Sequence, residues 1–118
     1  VEEIQRILQN IQSKDEQFKA DFDVFFYRPA LEVSREQAIV QSLNRAYQSI
    51  QKETPKFGGM SGWMDAALLT EAGIPTVIFG PSGDGAHAAV EYVDFDSVVT
   101  TTEILIELLV DFCDGYAV

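Results

Sequence analysis

Cysteine is almost missing from this chain: Cys113 stands alone among 118 residues. One thiol cannot close an internal disulfide, and a reducing cytoplasm is the compartment expected for it. Cations are scarce too. Lys and Arg total 8 against 19 Asp and Glu, a net charge of −11. Phosphate backbones are bound by basic surfaces, so nucleic acid is excluded as a partner, and an anionic membrane surface with it. Long apolar runs are also lacking. The richest stretch, Ile104 to Cys113, is broken by Glu107 and Asp111, whereas a bilayer span needs about 20 apolar residues. No signal-peptide pattern opens the chain. It starts at Val1 inside helical sequence with no cap before it, as expected for a piece of a longer protein. Histidine occurs once, at position 87.

What is present suits about one domain. Apolar residues make up 47% of the chain. A chain of this size buries roughly 65% of its unfolded surface, so it is expected to fold alone with little margin. Ile4, Ile7, Leu8 and Ile11 share one helical face, and that helix should end near Ser13. Ala20, Phe22, Val24 and Phe26 alternate with Asp21, Asp23, Phe25 and Tyr27, the period of a strand, and Pro29 closes it or marks an edge. Ser34 and Gln37 have capping-box spacing. The helix they open carries Ile39, Leu43, Ala46, Tyr47 and Ile50 inward and is closed by Thr54-Pro55. The order helix, strand, helix leaves the strand without a partner.

From Gly58 the composition shifts. Gly58, Gly59 and Gly62 form a loop, and a helix is expected from about Trp63 to Ala72. Gly73 is placed to be its left-handed cap. Ile74 to Phe79 lacks polar alternation apart from Thr76, which suits a strand covered on both faces. Asp94 or Asp96 can cap the last helix, whose inward stripe reads Val98, Thr102, Leu105, Leu109 and Phe112. A frayed tail is expected over 114–118.

His87 follows the loop Gly80-Pro81-Ser82-Gly83-Asp84-Gly85 at the carboxyl end of the 74–79 strand. Ligands gather at that edge of open α/β sheets, and glycines allow unusual backbone angles and close approach. Most lone histidines are not ligands; this placement singles His87 out. Glu91, four residues on, either orders the imidazole as an acceptor or is simply a solvated glutamate. His87-Ala88-Ala89-Val90-Glu91 is not the zinc-protease helix motif, which needs Glu next to the first His and a second His. The loop is not a phosphate loop, because Ala86-His87 stands where Gly-Lys-Ser/Thr is required. It is not a serine nucleophile elbow, because Asp84 replaces the second glycine around Ser82; Ser61 fails likewise at Trp63. An anion cradle at a helix terminus is disfavoured by the net charge and the lack of nearby Lys or Arg. Asp65 reads as a first-turn aspartate favourable to the helix dipole, Trp63 and Met64 as core or pocket wall, and Cys113 as a core residue. Arg28 can reach a carboxylate or sit solvated at a strand end.

Taken together, Gly62-Trp63-Met64-Asp65-Ala66, Ala72-Gly73-Ile74-Pro75-Thr76-Val77, Phe79-Gly80-Pro81, and Ala86-His87 with Glu91-Tyr92-Val93 resemble one signature. It is the C-terminal signature of the acetylornithine deacetylase / succinyl-diaminopimelate desuccinylase family of zinc exopeptidases, which includes aminoacylases and glutamate carboxypeptidases. Each piece alone is weak; the order and spacing are specific. Residues 1–56 match more loosely.

The resemblance implies an α/β fold: the last part of a zinc-exopeptidase catalytic domain (residues 57–118), a mixed sheet covered by helices. The end of an α+β lid or dimerisation domain (residues 1–56) precedes it. It implies that His87 is the final metal ligand of a site that holds two zinc ions, with cobalt or manganese as alternatives. Glu91, Asp65, Gly80, Ser82 and Gly83 are expected to support that ligand or line the substrate site, and Arg28 to touch the substrate. The other ligands of the family and its general-base glutamate have no counterpart here, so with one histidine the chain cannot build the two-metal site and should be inactive alone. Met64 stands where family members often carry a small hydroxyl residue, and Ala86, Ala88 and Ala89 are unusually small; both leave the substrate open.

The expected activity of the parent is removal of an acyl group from an N-acyl amino acid, acetylornithine deacetylase-like. Desuccinylation, or cleavage of a small peptide amide as by a dipeptidase, is the variant. The expected partners are that small substrate and a second copy met through the lid segment. A non-catalytic dimerisation module and a small α/β binding domain are the rival readings.

Overall fold

In a computed structural model the described residues are 1–114. Among them are helices α1 (Glu2–Gln12), α2 (Ala38–Gln51), α3 (Ala66–Glu71) and α4 (Phe95–Asp114), and one hairpin of β1 (Gly83–Asp84) and β2 (Tyr92–Val93). The hairpin is antiparallel, with Gly83 opposite Val93 and Asp84 opposite Tyr92. No described helix is long and apolar enough to cross a membrane. The tail expected to fray lies, beyond Asp114, outside the described residues.

The core is the seam between α2 and α4. Leu43 and Ala46 from α2 meet Ile104 and Leu108 from α4, with Ile39, Tyr47, Ile50 and Phe112 packed around them. Ala46 and Ile104 are each 1% exposed. Val77 and Phe79 close the seam from the side. The stripe expected on α2 is the one that packs. Its start differs: no side chain caps α2. The Ser34 hydroxyl instead bonds the Glu36 carboxylate and accepts the Glu36 backbone N–H, so it shapes a turn ahead of the helix. That hydroxyl bond, then the backbone N–H, holds the Glu36 carboxyl below its ordinary value; the charge of Arg35 adds a smaller share. The helix ends at Lys52 in a left-handed conformation (φ 59°), before Thr54-Pro55 is reached.

The inward stripe of α4 is displaced from the expected one. Ile104 and Leu108 are buried and Val98 and Phe112 half-buried, but Leu105 and Leu109 are exposed, Leu109 by 61%. The run from Ile104 to Val110 is apolar except for Glu107, so periodicity alone admits more than one stripe, and contact with α2 selects among them. Cys113 lies exposed, not in the core, because it projects from the opposite side of that helix.

α3 is shorter than expected, starting at Ala66 rather than Trp63, but its end is as read. Gly73 has φ 82°. Its N–H bonds the Thr70 carbonyl and the Ile74 N–H bonds the Leu69 carbonyl, both at 2.9 Å. That pair of bonds is a Schellman cap. Asp94 accepts the Asp96 backbone N–H at 3.0 Å just before α4 begins, as a capping aspartate does.

Neither long strand read from the sequence is present. Residues 20–27 and 74–79 lie in no ladder, so the mixed sheet is here a two-residue hairpin. The cause is hydrogen bonding: a strand exists by exchanging N–H···O bonds with a neighbour, and among the described residues only β1 and β2 pair in a ladder. Val77 and Phe79 still point into the α2–α4 seam while Ile78 is exposed, which preserves strand-like alternation on one covered face. Phe25 is 92% exposed, and α1 has no buried residue despite its apolar stripe. The radius of gyration is 21.0 Å, against about 13–14 Å for a compact chain of this length. Against the expectation of a unit with a closed core of its own, many large apolar side chains, Phe25, Val90 and Phe95 among them, have no cover within this chain.

One ion pair joins described residues, and it ties the two core helices. Arg45 meets Asp111 at 2.6 Å, and Arg45 also donates to the Ser42 hydroxyl at 2.8 Å. The Arg45 hydrogen bond is the first cause holding the Asp111 carboxyl below its ordinary value of 3.8, with Ser42 next. A lowered folded value means the contribution is complete above the unfolded pKa and is lost as pH falls through the folded one. Asp111→Asn should therefore flatten the stability profile only on the acid side, below about pH 4. Denaturation midpoints measured from pH 7 downward test this; an equal loss at every pH would contradict it. The pair is solvent-exposed, so its contribution is small and salt-sensitive.

Candidate functional site

His87 sits at the tip of the β1–β2 hairpin. Ser82 anchors the base of that hairpin to the start of α4. Its backbone N–H donates to the Ser97 hydroxyl at 3.0 Å, and its carbonyl accepts the Asp94 N–H at 2.9 Å. Next, β1 passes so close to β2 that a Cβ on Gly83 would lie 2.2 Å from the Tyr92 carbonyl oxygen. At Gly85 a Cβ would meet the Val90 carbonyl oxygen at 2.0 Å, and φ is 75°. Only glycine fits there. The Ala88 N–H then bonds the Gly85 carbonyl at 2.7 Å, turning the chain tightly around position 87.

His87 itself has φ 64°. A residue with a Cβ visits that left-handed region at a cost of roughly 1–2 kcal/mol. The tightness of the turn holds it there and leaves the imidazole exposed at the tip. Glu91 acts on the backbone: one carboxylate oxygen accepts the His87 N–H at 3.4 Å. Of its two readings, imidazole acceptor or solvated glutamate, neither included this contact with the main chain that carries His87.

Asp65 is exposed directly before α3 and makes no side-chain cap; no hydrogen bond or ion pair links it to His87. Among the described residues no three His, Cys, Asp or Glu side chains come together as a metal site. His87 is an accessible nitrogen donor with the Glu91 carboxylate beside its backbone.

A second constellation surrounds Arg28. Its guanidinium lies 4.5 Å from the Phe26 ring centroid and 5.2 Å from that of Trp63. Trp63 is fixed by its indole N–H, which donates to the Pro29 carbonyl at 3.0 Å. Arg28, Pro29 and Trp63 border a cleft of about 840 Å³, reaching past the 58–64 loop to Tyr47, Val77 and Phe79. Trp63 and Met64 are thus wall residues, as one of their two readings had it. Tyr47 stands edge-on to Phe79, ring centroids 6.4 Å apart. Burial, and then its hydrogen bond to Glu53, pushes its phenol pKa up. Arg35, stacked 4.6 Å from the Phe57 ring, was not singled out from sequence. Its ring partner lies 22 positions away, beyond any local pattern.

The chain belongs to peptidase family M20/M25/M40, which it matches over residues 5–111. Among characterised relatives it is 34% identical over 87 residues to the N-formyl-4-amino-5-aminomethyl-2-methylpyrimidine deformylase of Bacillus subtilis (strain 168). It is 29% identical over 86 residues to the enzyme of the same name from Halalkalibacterium halodurans, and 33% identical over 84 residues to peptidase T of Listeria welshimeri. These alignments cover 70–72% of this chain and 20% of each relative, so the chain spans about a fifth of the length of the curated relatives it matches. No solved structure matches it. The family-level resemblance read from the motifs is thereby supported, whereas the relatives are a deformylase and a peptidase rather than acetylornithine deacetylases.

Proposed function

We propose that the protein containing this chain hydrolyses an amide C–N bond, freeing a small acyl group from an N-acylated amine or amino acid. The family match over residues 5–111 carries the reading. A deformylase and a peptidase, the activities named for the relatives, both cut such a bond. The formyl group becomes the first acyl group to try, ahead of the acetyl of an acetylornithine-like substrate; a short peptide is the third.

Members of such a family are metal-dependent, and zinc, with cobalt or manganese as alternatives, is the cofactor proposed. A bound metal would supply an activated water and polarise the amide carbonyl. The described residues do not by themselves make that site, since no three His, Cys, Asp or Glu side chains among them gather around the single imidazole. Their part is positional. The turn at Gly85 and the Glu91 carboxylate hold the His87 backbone so that its imidazole projects clear of the hairpin.

The test uses the parent protein with an N-formyl amine, an N-acetyl amino acid and a dipeptide. Hydrolysis of at least one is expected. Chelation should abolish it, and zinc, cobalt or manganese should restore it. Inertness toward all three in the presence of each metal would overturn the proposal.

A further inference from the structure

The cleft beside Trp63 runs between two segments that have little to hold them. One wall is residues 28–33 and the other is residues 55–64. Among the described residues, 19–33 lie in no helix or ladder and make no backbone-to-backbone hydrogen bond. Where this strap meets α2 it is anchored. The Gln41 side-chain amide donates to the Arg35 carbonyl at 2.7 Å, and the Arg35 guanidinium stacks on Phe57 of the facing wall. The facing loop is loosely packed: a Cβ on Gly58 or Gly59 would meet nothing within 4 Å.

At the far end one hydrogen bond crosses from wall to wall. The Trp63 indole N–H donates to the Pro29 carbonyl at 3.0 Å, and the Arg28 guanidinium lies 5.2 Å from the same ring. Among the described residues no other hydrogen bond joins residues 1–33 to α2, to α3 or to the loop between them. Trp63 is 42% exposed, so water competes for its N–H. Such a bond shifts an equilibrium by a factor of about two to ten, enough to bias a closed position and too little to lock it.

We propose that Trp63 is a catch that closes a strap, residues 28–33, over the cleft. With the indole seated on Pro29, the strap is held against the 58–64 loop. When the indole lets go, the strap swings about its anchored end at Arg35 and the cleft of about 840 Å³ opens to solutes. The body stays intact through this movement because α2 and α4 share a buried seam. No residue of 1–33 is buried, so the strap leaves without breaking a core of its own. The catch does not depend on the proposed hydrolysis, since it is read as a distance.

Spin labels on Glu32→Cys and Ser61→Cys of the parent protein test it, both positions being exposed and on opposite walls. Other accessible cysteines, Cys113 included, are first replaced by serine, and pulsed dipolar spectroscopy reads the gap. A short-distance population should dominate while Trp63 is present. Trp63→Phe keeps a ring for Arg28 and removes the N–H donor. It should raise the ratio of long-distance to short-distance populations about two- to tenfold. Trp63→Ala removes the ring as well and should raise that ratio further. The Trp63→Phe variant should keep its melting temperature, because Trp63 is not part of the α2–α4 seam, and it decides the matter if Trp63→Ala fails to fold. A ratio unchanged by Trp63→Phe, or a native protein already open, would overturn the proposal.

Discussion

Replacing His87 by alanine in the parent protein should lower amide hydrolysis by at least about a hundredfold. Loss of the residues that merely support a metal ligand costs about 10–100-fold, and a ligand should cost no less. The backbone makes this a clean experiment. His87 already occupies a left-handed conformation at φ 64°, a region that histidine enters more readily than alanine. Both carry a Cβ and meet a steric cost of the same order there, and His87→Asn, equally tolerant of that region, is the control for backbone strain. The imidazole is exposed, so no packing is lost either. The melting temperature of the metal-free protein should stay the same while metal content and hydrolysis fall together. Unchanged hydrolysis with unchanged metal content would remove His87 from the site, whatever the reaction proves to be.

Ile104→Ala should cost about 2–5 kcal/mol of stability. Ile104 is the largest fully buried side chain described, 1% exposed, and it faces Leu43 and Ala46 across the α2–α4 seam. Removing its outer carbons loses their transfer free energy and leaves a cavity that two helices bridged by Arg45 and Asp111 can only partly close. Ile104→Val should cost about 0.5–1.5 kcal/mol, so the pair gives a graded series. Denaturant midpoints of the parent protein, with unchanged slopes, measure both. If alanine costs no more than valine, this seam does not hold the chain together.

The hairpin explains why position 87 could be found in the sequence but its surroundings could not. Gly83 and Gly85 lie close enough to His87 for their glycine chemistry to be legible as a turn. The role of Glu91 was not, because an acceptor four residues away can meet either an imidazole or a backbone N–H, and only the path of the turn decides which. The cleft at Arg28 shows the same limit over longer range. Phe26 is near Arg28 in sequence, but Trp63, held by Pro29, and Phe57, under Arg35, are brought there by the fold.

By itself the sequence determined what rests on short-range rules: the α1 and α2 stripes, the Gly73 cap, the Asp94 cap, the turn that presents His87, and the motif order that marks the family. Backbone sterics and helical periodicity act within a few residues, so they can be read along the chain. Tertiary structure alone decided which stripe of α4 faces inward, that residues 20–27 and 74–79 pair with nothing here, and that Arg28 and Pro29 meet Trp63 across one cleft. Each of these depends on a neighbour supplied from elsewhere in space: a facing helix, an adjacent strand or an aromatic ring.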